Sequence, residues 1–178
     1  ANVINGFSGN NMFTYKYSHE SGLNLTLSYI NASDAVTDVS YSDAGVTYTG
    51  MDGLTIGYGQ GDVENVTNAK STESTLFAKY AFNSVTVGIQ KSEKDVESGT
   101  DTESTGIGIS YQVNDDLTVS YGTNTLEKSG SNDQEAQALG ISYTMGSLGI
   151  ALSMNTVDNI ANSATNDRDA YQLGLSFA

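Results

Sequence analysis

Few side chains in this sequence could carry out acid–base or covalent chemistry. The chain contains no Cys, which excludes disulfides, thiolate metal ligands and a thiol nucleophile. Its only histidine, His19, lies in a short polar turn, where no evident serine partner accompanies it. Hydrolases that use a side-chain nucleophile or an activated water molecule need a base beside it. We therefore predict that His19 is an exposed turn histidine and that the protein has no enzymatic activity.

Acidic side chains dominate the charged residues. The chain has 21 Asp and Glu against 7 Lys and Arg, a formal net charge of −14, which disfavours binding to nucleic-acid phosphates. Most of the acids lie in long polar stretches, and the densest stretch holds Glu93, Asp95, Glu97, Asp101 and Glu103.

Three interpretations of these acids stay open. They can form a solvated surface that resists aggregation, or an anionic mouth that raises the local cation concentration. They can also hold divalent cations loosely, between loops or against lipopolysaccharide. No stretch has the spacing of a calcium-binding EF-hand, so no metal ligand is assigned.

Apolar residues recur at every second position along most of the chain, which predicts β-strands rather than helices. The mean hydropathy is only −0.29, but alternating strands average to such values even when one face is apolar. The pattern predicts eleven strands around Phe13–Tyr17, Leu23–Tyr29, Ala44–Tyr48, Leu54–Tyr58, Leu76–Tyr80, Val85–Ile89, Ile107–Tyr111, Leu117–Tyr121, Leu139–Tyr143, Leu148–Met154 and Tyr171–Phe177.

The predicted connections alternate between short and long. Short turns are expected at 19–22, 50–53, 81–84, 113–116 and 146–147. Longer polar stretches are expected near 31–41, 61–72, 92–103, 126–136 and 156–168. Short turns at one end and long loops at the other are typical of an antiparallel up-and-down meander, and of outer-membrane barrels in particular.

The strand face opposite the apolar residues carries small and polar side chains. Such a face could not form the dry core of a β-sandwich, so the apolar face has to meet something apolar outside the sheet, and lipid is the simplest candidate. We therefore expect an all-β transmembrane barrel with a wet interior. By parity its pore would be lined by Thr14, Lys16, Asn24, Thr26, Ser28, Lys79, Thr86, Gln90, Ser110, Thr118, Ser120, Ser142, Ser153, Arg168, Gln172 and Ser176.

Aromatic residues mark both ends of the predicted strands. Those nearest the short turns recur every 31 to 34 residues, at Tyr17, Tyr48, Tyr80, Tyr111, Tyr143 and Phe177. A second set, near the long loops, consists of Tyr29, Tyr41, Tyr58, Tyr121 and Tyr171. Two belts that flank an apolar band match the two membrane interfaces. A soluble repetitive β-protein, the main rival, would leave the apolar stripe unexplained.

The C-terminal residues 171–178 resemble the assembly signature of outer-membrane barrels, in which alternating apolar and aromatic residues lead to a terminal Phe. The whole chain resembles the C-terminal two-thirds of a Gram-negative general porin. The resemblance implies one domain over 1–178, incomplete at its N-terminus, with residues 1–10 ending an inward-folded loop. A sixteen-stranded barrel is expected, with twelve strands as the alternative.

The same resemblance implies a homotrimer in the bacterial outer membrane that contacts lipid and lipopolysaccharide, and a passive, non-enzymatic channel. We expect ions and small hydrophilic solutes to diffuse through it, with a preference for cations. Lys16 and Lys79 are candidates for the basic wall of such pores, or else isolated lysines; only one Arg is present. The alternative function is a structural or adhesive barrel with acidic loops and no open pore.

Overall fold

The computed structural model describes residues 12–31, 39–65 and 70–177. Strands account for most of these residues, and the remaining element is a single 3₁₀ turn at Ile160–Asn162. None of the described residues belongs to a helix long and apolar enough to cross a membrane. The strands are β1 (Met12–Ser18), β2 (Leu23–Ile30), β3 (Val39–Tyr48), β4 (Leu54–Asn65), β5 (Lys70–Phe82), β6 (Val85–Val96), β7 (Thr102–Gln112), β8 (Leu117–Lys128), β9 (Gln134–Met145), β10 (Leu148–Asp158) and β11 (Arg168–Phe177).

The strands form one sheet in which each strand is hydrogen-bonded to its neighbours in sequence, in the order β1 to β11. The antiparallel up-and-down meander of eleven strands is therefore confirmed. Because side chains alternate across a strand, every strand has two faces. We call the face with Leu27, Ile56 and Leu152 the apolar face, and the face with Thr26, Gly57 and Ser153 the polar face.

Residue contacts divide the chain into two compact units, Ala1–Ala78 with Gln90–Ser104, and Lys79–Ile89 with Thr105–Ala178. In the first unit the registers of β2 with β3 and of β3 with β4 are unbroken. In the second unit β8, β9, β10 and β11 pair in the same uninterrupted way. An unbroken register keeps each residue on the face that its parity assigns.

Burial in this sheet is the reverse of burial in a water-soluble protein. Among the residues that the structure describes, no apolar side chain is buried, and Leu76, Ile107 and Leu173 are 53%, 57% and 61% exposed. The buried polar side chains are those of Glu73, Ser92 and Ser104. An apolar face left open over so many strands requires an apolar surrounding.

Two of the predicted loops are wrong in length. Strand β4 continues to Asn65 and β5 begins at Lys70, while β6 continues to Val96 and β7 begins at Thr102. Most of 61–72 and 92–103 is therefore strand rather than loop. The alternation of apolar residues stops at the edge of the apolar band, whereas the hydrogen bonds between the strands continue beyond it. Sequence periodicity detects the apolar band and not the full length of the strands.

Ion pairs accompany this extension on the apolar-face side of the strands, two between neighbouring strands and one, Lys91 with Glu93, within β6. Lys70 Nζ lies 2.9 Å from Glu64 Oε1, and Lys91 Nζ lies 2.7 Å from Glu93 Oε1 and 3.1 Å from Glu103 Oε2. Hydrogen bonds to these carboxylates, followed by their negative charge, raise the pKa of Lys70 and of Lys91. Because both pKa values are raised, the contribution of these lysines to the free energy of unfolding is fully present below the ordinary lysine pKa. It is lost only as pH rises through the raised pKa values.

Glycines hold two of the short turns together. Gly22 has φ +84°, and its Cα faces the backbone of Gly50 so closely that a Cβ atom would overlap Gly50 N. Thr49 N donates to Gly22 O at 2.9 Å across the same contact. Gly130 also has a positive φ, +77°, but nothing lies within 4 Å of the place that its Cβ would take.

Replacing these two glycines separates backbone strain from crowding. Gly130→Ala adds only the cost of a left-handed residue, and we expect it to lower the free energy of unfolding by about 1 kcal/mol. Gly22→Ala adds the clash with Gly50 as well, so its loss should be larger. Urea titration followed by circular dichroism measures both, and equal losses would contradict the turn contact.

Candidate functional site

A groove lies on the polar face of the first unit because glycines meet across two strands. Gly45 pairs with Gly59, and Gly61 pairs with Asp43. The absence of side chains at the glycines leaves a cavity of about 270 Å³, which the side chains of Asp43 and Glu73 border. Small residues of this kind leave space for water where bulky residues would fill it.

Polar side chains of β5 and β6 form two neighbouring hydrogen-bonded groups beside this groove. Thr75 Oγ1 and Ser92 Oγ lie 2.9 Å apart, and Gln90 Nε2 donates to Ser92 Oγ at 3.2 Å. Lys94 Nζ donates to Glu73 Oε1 at 2.6 Å. Glu73 and Ser92 are each only 5% exposed, so the polar side chains of these two groups include the most enclosed ones that the structure describes on this face.

Glu73, Lys94 and Phe77 are not among the site residues that the sequence predicts. Lys94 lies in the polar stretch 92–103, for which the sequence predicts a loop. Phe77 lies on the polar face, where its ring covers Gly57 and takes the space that a Cβ there would need. The signal for Phe77 was available, because the residue alternates with the apolar-face residues Leu76 and Ala78.

The structure places the predicted pore-lining residues on the polar face. In the first unit Lys16 pairs with Thr26, and Thr14 pairs with Ser28. The members in this unit are Thr14, Lys16, Asn24, Thr26, Ser28 and Gln90. The members in the second unit are Lys79, Thr86, Ser110, Thr118, Ser120, Ser142, Ser153, Arg168, Gln172 and Ser176. They lie on one face of their strands; that they line a pore stays a prediction.

The predicted aromatic belt residues lie on the apolar face, with one exception. Tyr17, Tyr111 and Phe177 at the short-turn end are 44%, 49% and 79% exposed. Near the long loops, tyrosine hydroxyls donate to polar side chains that lie further toward the loops. Tyr29 donates to Asn31 at 3.1 Å, Tyr58 to Gln60 at 2.7 Å, and Tyr121 to Gln137 at 3.0 Å. An exposed ring whose hydroxyl is directed to the polar end suits a membrane interface.

The exception is Tyr41, for which the predicted belt position is wrong. It pairs with Ile30 in β2 and with Val63 in β4, in the same registers that put Asp43 and Gly45 on the polar face. Tyr41 therefore lies on the polar face and borders the groove. Its proximity to a strand end suggested the belt, but two-residue parity decides the face.

His19 closes a turn. Its Nδ1 lies 2.9 Å from Ser21 Oγ and accepts a hydrogen bond from Ser21 N at 3.2 Å, and the residue is exposed. Both contacts lie within the turn and hold its backbone. Within 12–31, 39–65 and 70–177, no three His, Asp or Glu side chains come together as metal ligands. Residues 1–10, which are predicted to end an inward-folded loop, and residues 32–38 of the predicted long stretch 31–41 lie outside the described residues.

An antiparallel meander with an open apolar face between aromatic belts, and a small polar opposite face, defines the wall of a transmembrane β-barrel. The family can then be named, because the profile of the Gram-negative porins matches residues 1–137 and 90–178, two overlapping segments that together cover the chain. The chain belongs to the Gram-negative porin family. It is an outer-membrane porin chain of a bacterium.

Solved porin structures share this fold at low sequence identity. An anion-selective porin from Comamonas acidovorans superposes with a TM-score of 0.78 at 17% identity, covering 94% of this chain and 59% of that chain. A refined porin gives 0.76 at 16% identity, covering 98% and 66%. The trimer form of OmpT of Vibrio cholerae gives 0.64 at 16%, covering 93% and 64%. The chain thus spans about three-fifths of the Comamonas porin. Among curated proteins, no sequence matches.

Neighbouring residues of β10 test the two faces. Leu152 lies on the apolar face between Ile141 and Leu173, and Ser153 lies on the polar face between Gly140 and Gln172. Leu152→Arg should lower the free energy of unfolding in lipid bilayers by roughly 2–4 kcal/mol, because a charge at the middle of the lipid face is costly.

Ser153→Arg is the matched control and should cost less than about 1 kcal/mol, since its side chain stays in water. Urea-dependent folding into phosphatidylcholine vesicles, followed by the gel shift between folded and unfolded barrel, measures both. Equal losses from the two substitutions would contradict the assignment of faces.

Proposed function

We propose that the chain forms the wall of a water-filled pore through which ions and small hydrophilic solutes diffuse passively. The observation that carries this proposal is the composition of the polar face, where glycine, Ser and Thr predominate. A face of this kind cannot pack a dry interior, but it is suited to contact water. On this proposal the predicted pore-lining residues shape and wet the lumen and perform no reaction, and the protein is not an enzyme.

We infer a preference for cations from the charge of this chain. The formal net charge is −14, and the carboxylate of Asp43 borders the groove on the polar face. Clefts lined by one sign of charge raise the local concentration of the opposite ion. The Comamonas relative is described as anion-selective, so the inference rests on the charges of this chain alone.

We also propose a homotrimer, embedded in outer-membrane lipid and in contact with lipopolysaccharide. The trimer form of the Vibrio cholerae relative supports this assembly. The open apolar face supports the contact with lipid. Divalent cations held loosely at the acidic loops, and a total of sixteen strands, stay predictions.

A structural or adhesive barrel is the second candidate, and the loop between β10 and β11 is the observation that favours it. The Asn162 side chain donates to Leu126 O at 3.1 Å and to Asn132 O at 2.7 Å, and the Asn159 side chain donates to Asp133 O at 2.8 Å. These bonds join the loop to the end of β8 and to the segment that connects β8 and β9. A loop whose backbone is fixed in this way offers a preformed surface to a binding partner, because little conformational entropy is lost on binding.

Planar-bilayer recording of the full-length protein separates the two candidates. A diffusion pore gives stable conductance steps, and in a KCl gradient its reversal potential should indicate a higher permeability for K⁺ than for Cl⁻. That preference should fall between 0.1 M and 1 M salt, because the Debye length shortens from about 10 Å to about 3 Å. A folded barrel without conductance would exclude the pore and leave the adhesive candidate.

A further inference from the structure

The polar face carries an ion pair, which lies apart from the pairs on the opposite face. Lys94 and Glu73 alternate with apolar-face residues in β6 and β5, and their side chains meet at 2.6 Å. Glu73 is 5% exposed at its side chain, whereas Lys94 is 31% exposed. The pair formed by Lys70 and Glu64 lies on the apolar-face side, and its side chains are 61% and 59% exposed.

A closed ion pair has a weak field at the distance of a passing ion. Two opposite unit charges 2.6 Å apart act as a dipole, whose field falls off more steeply with distance than the field of a single charge. Removing one partner leaves a full unit charge on the wall, which acts over about one Debye length. The pairing therefore decides how much charge this part of the polar face presents.

Hydrogen-bonded polar side chains of the same two strands flank the pair beside the groove. Ser92 and Thr75 are hydrogen-bonded to each other next to Glu73, and Gln90 donates to Ser92. Glu73 and Asp43 both border the cavity that the glycines leave open. Because Gly61 has no side chain, nothing from that position separates Asp43 from the Glu73 side of the groove.

We propose that Lys94 and Glu73 are selectivity-determining residues of this pore: Lys94 neutralises Glu73, so that Asp43 is the acid through which the groove attracts cations. The inference rests on the proposed function and adds the residues that set its ion preference. It predicts opposite effects for the two members of one pair. Freeing Lys94 adds a positive charge to the wall, and freeing Glu73 adds a negative charge.

The test uses conservative variants of the full-length protein in planar bilayers at 0.1 M KCl. Glu73→Gln should lower the ratio of K⁺ to Cl⁻ permeability by about twofold, and Lys94→Gln should raise it by about the same factor, as expected for one charge within a Debye length, about 10 Å, of a passing ion. The double variant Glu73→Gln/Lys94→Gln restores neutrality and should return the ratio to the wild-type value.

Two further variants keep the result interpretable. The exchange Glu73→Lys/Lys94→Glu preserves the pair and should leave the permeability ratio unchanged, which also shows that the barrel folds with this site altered. Lys70→Gln changes the net charge by the same amount on the other side of the strand. It should change the ratio clearly less than Lys94→Gln does.

Each outcome separates this inference from the proposed function. Conductance with an unchanged ratio in Glu73→Gln, shifts of the same sign in both single variants, or an equal shift in Lys70→Gln overturns the role of the pair and leaves the pore intact. A wild-type barrel that folds but does not conduct overturns both.

Discussion

The backbone hydrogen-bond ladder between neighbouring strands is the interaction on which the rest of the structure depends. In hydrocarbon each unsatisfied N–H or C=O group costs several kcal/mol, so a chain that crosses with strands has to pair them continuously. The unbroken registers of β1 through β4, and of β8 through β11, meet that demand. Side-chain packing, which organises soluble domains, has a secondary role here, because no described apolar side chain is buried.

Once the hydrogen-bond ladder is fixed, the odd or even position of a residue along its strand decides which face its side chain joins. Alternate residues face lipid, and this demand for apolar side chains leaves the other positions free to be small, hydroxylated or charged. Glycine is useful on the polar face for a physical reason: Gly45, Gly59 and Gly61 open a groove that larger residues would close. In the same unit the ring of Phe77 packs over Gly57. Neighbouring glycines of one face can therefore either leave open space or make room for a large side chain.

Electrostatic effects in this sheet depend on where a charge lies as much as on how many charges there are. The net charge of −14 predicts an anionic surface. The ion pairs modify that expectation locally, since Lys94 compensates Glu73 on the polar face and Lys70 compensates Glu64 on the other. Only uncompensated charges near the ion path influence selectivity at physiological ionic strength, because salt screens more distant ones.

The sequence by itself determined the strands, their order and their faces. Period-two alternation follows from the barrel wall itself, since each strand meets lipid on one side and water on the other. The regular tyrosine spacing follows because successive strands cross the same membrane interface. The placement of Lys16, Ser120 and the other predicted polar-face residues follows from parity alone. Parity also assigns Tyr41 to the polar face, whereas its position near a strand end suggested an aromatic belt on the apolar face.

Tertiary structure decided where strands end and which side chains meet across them. The length of β4 to β7 depends on ladders that continue past the apolar band, for which the sequence has no periodic signal. The pairing of Lys94 with Glu73, 21 residues apart, depends on the register between β5 and β6. Register is a relation between two strands, set by turns and by the fit of both faces, so the pattern within either strand alone cannot specify it.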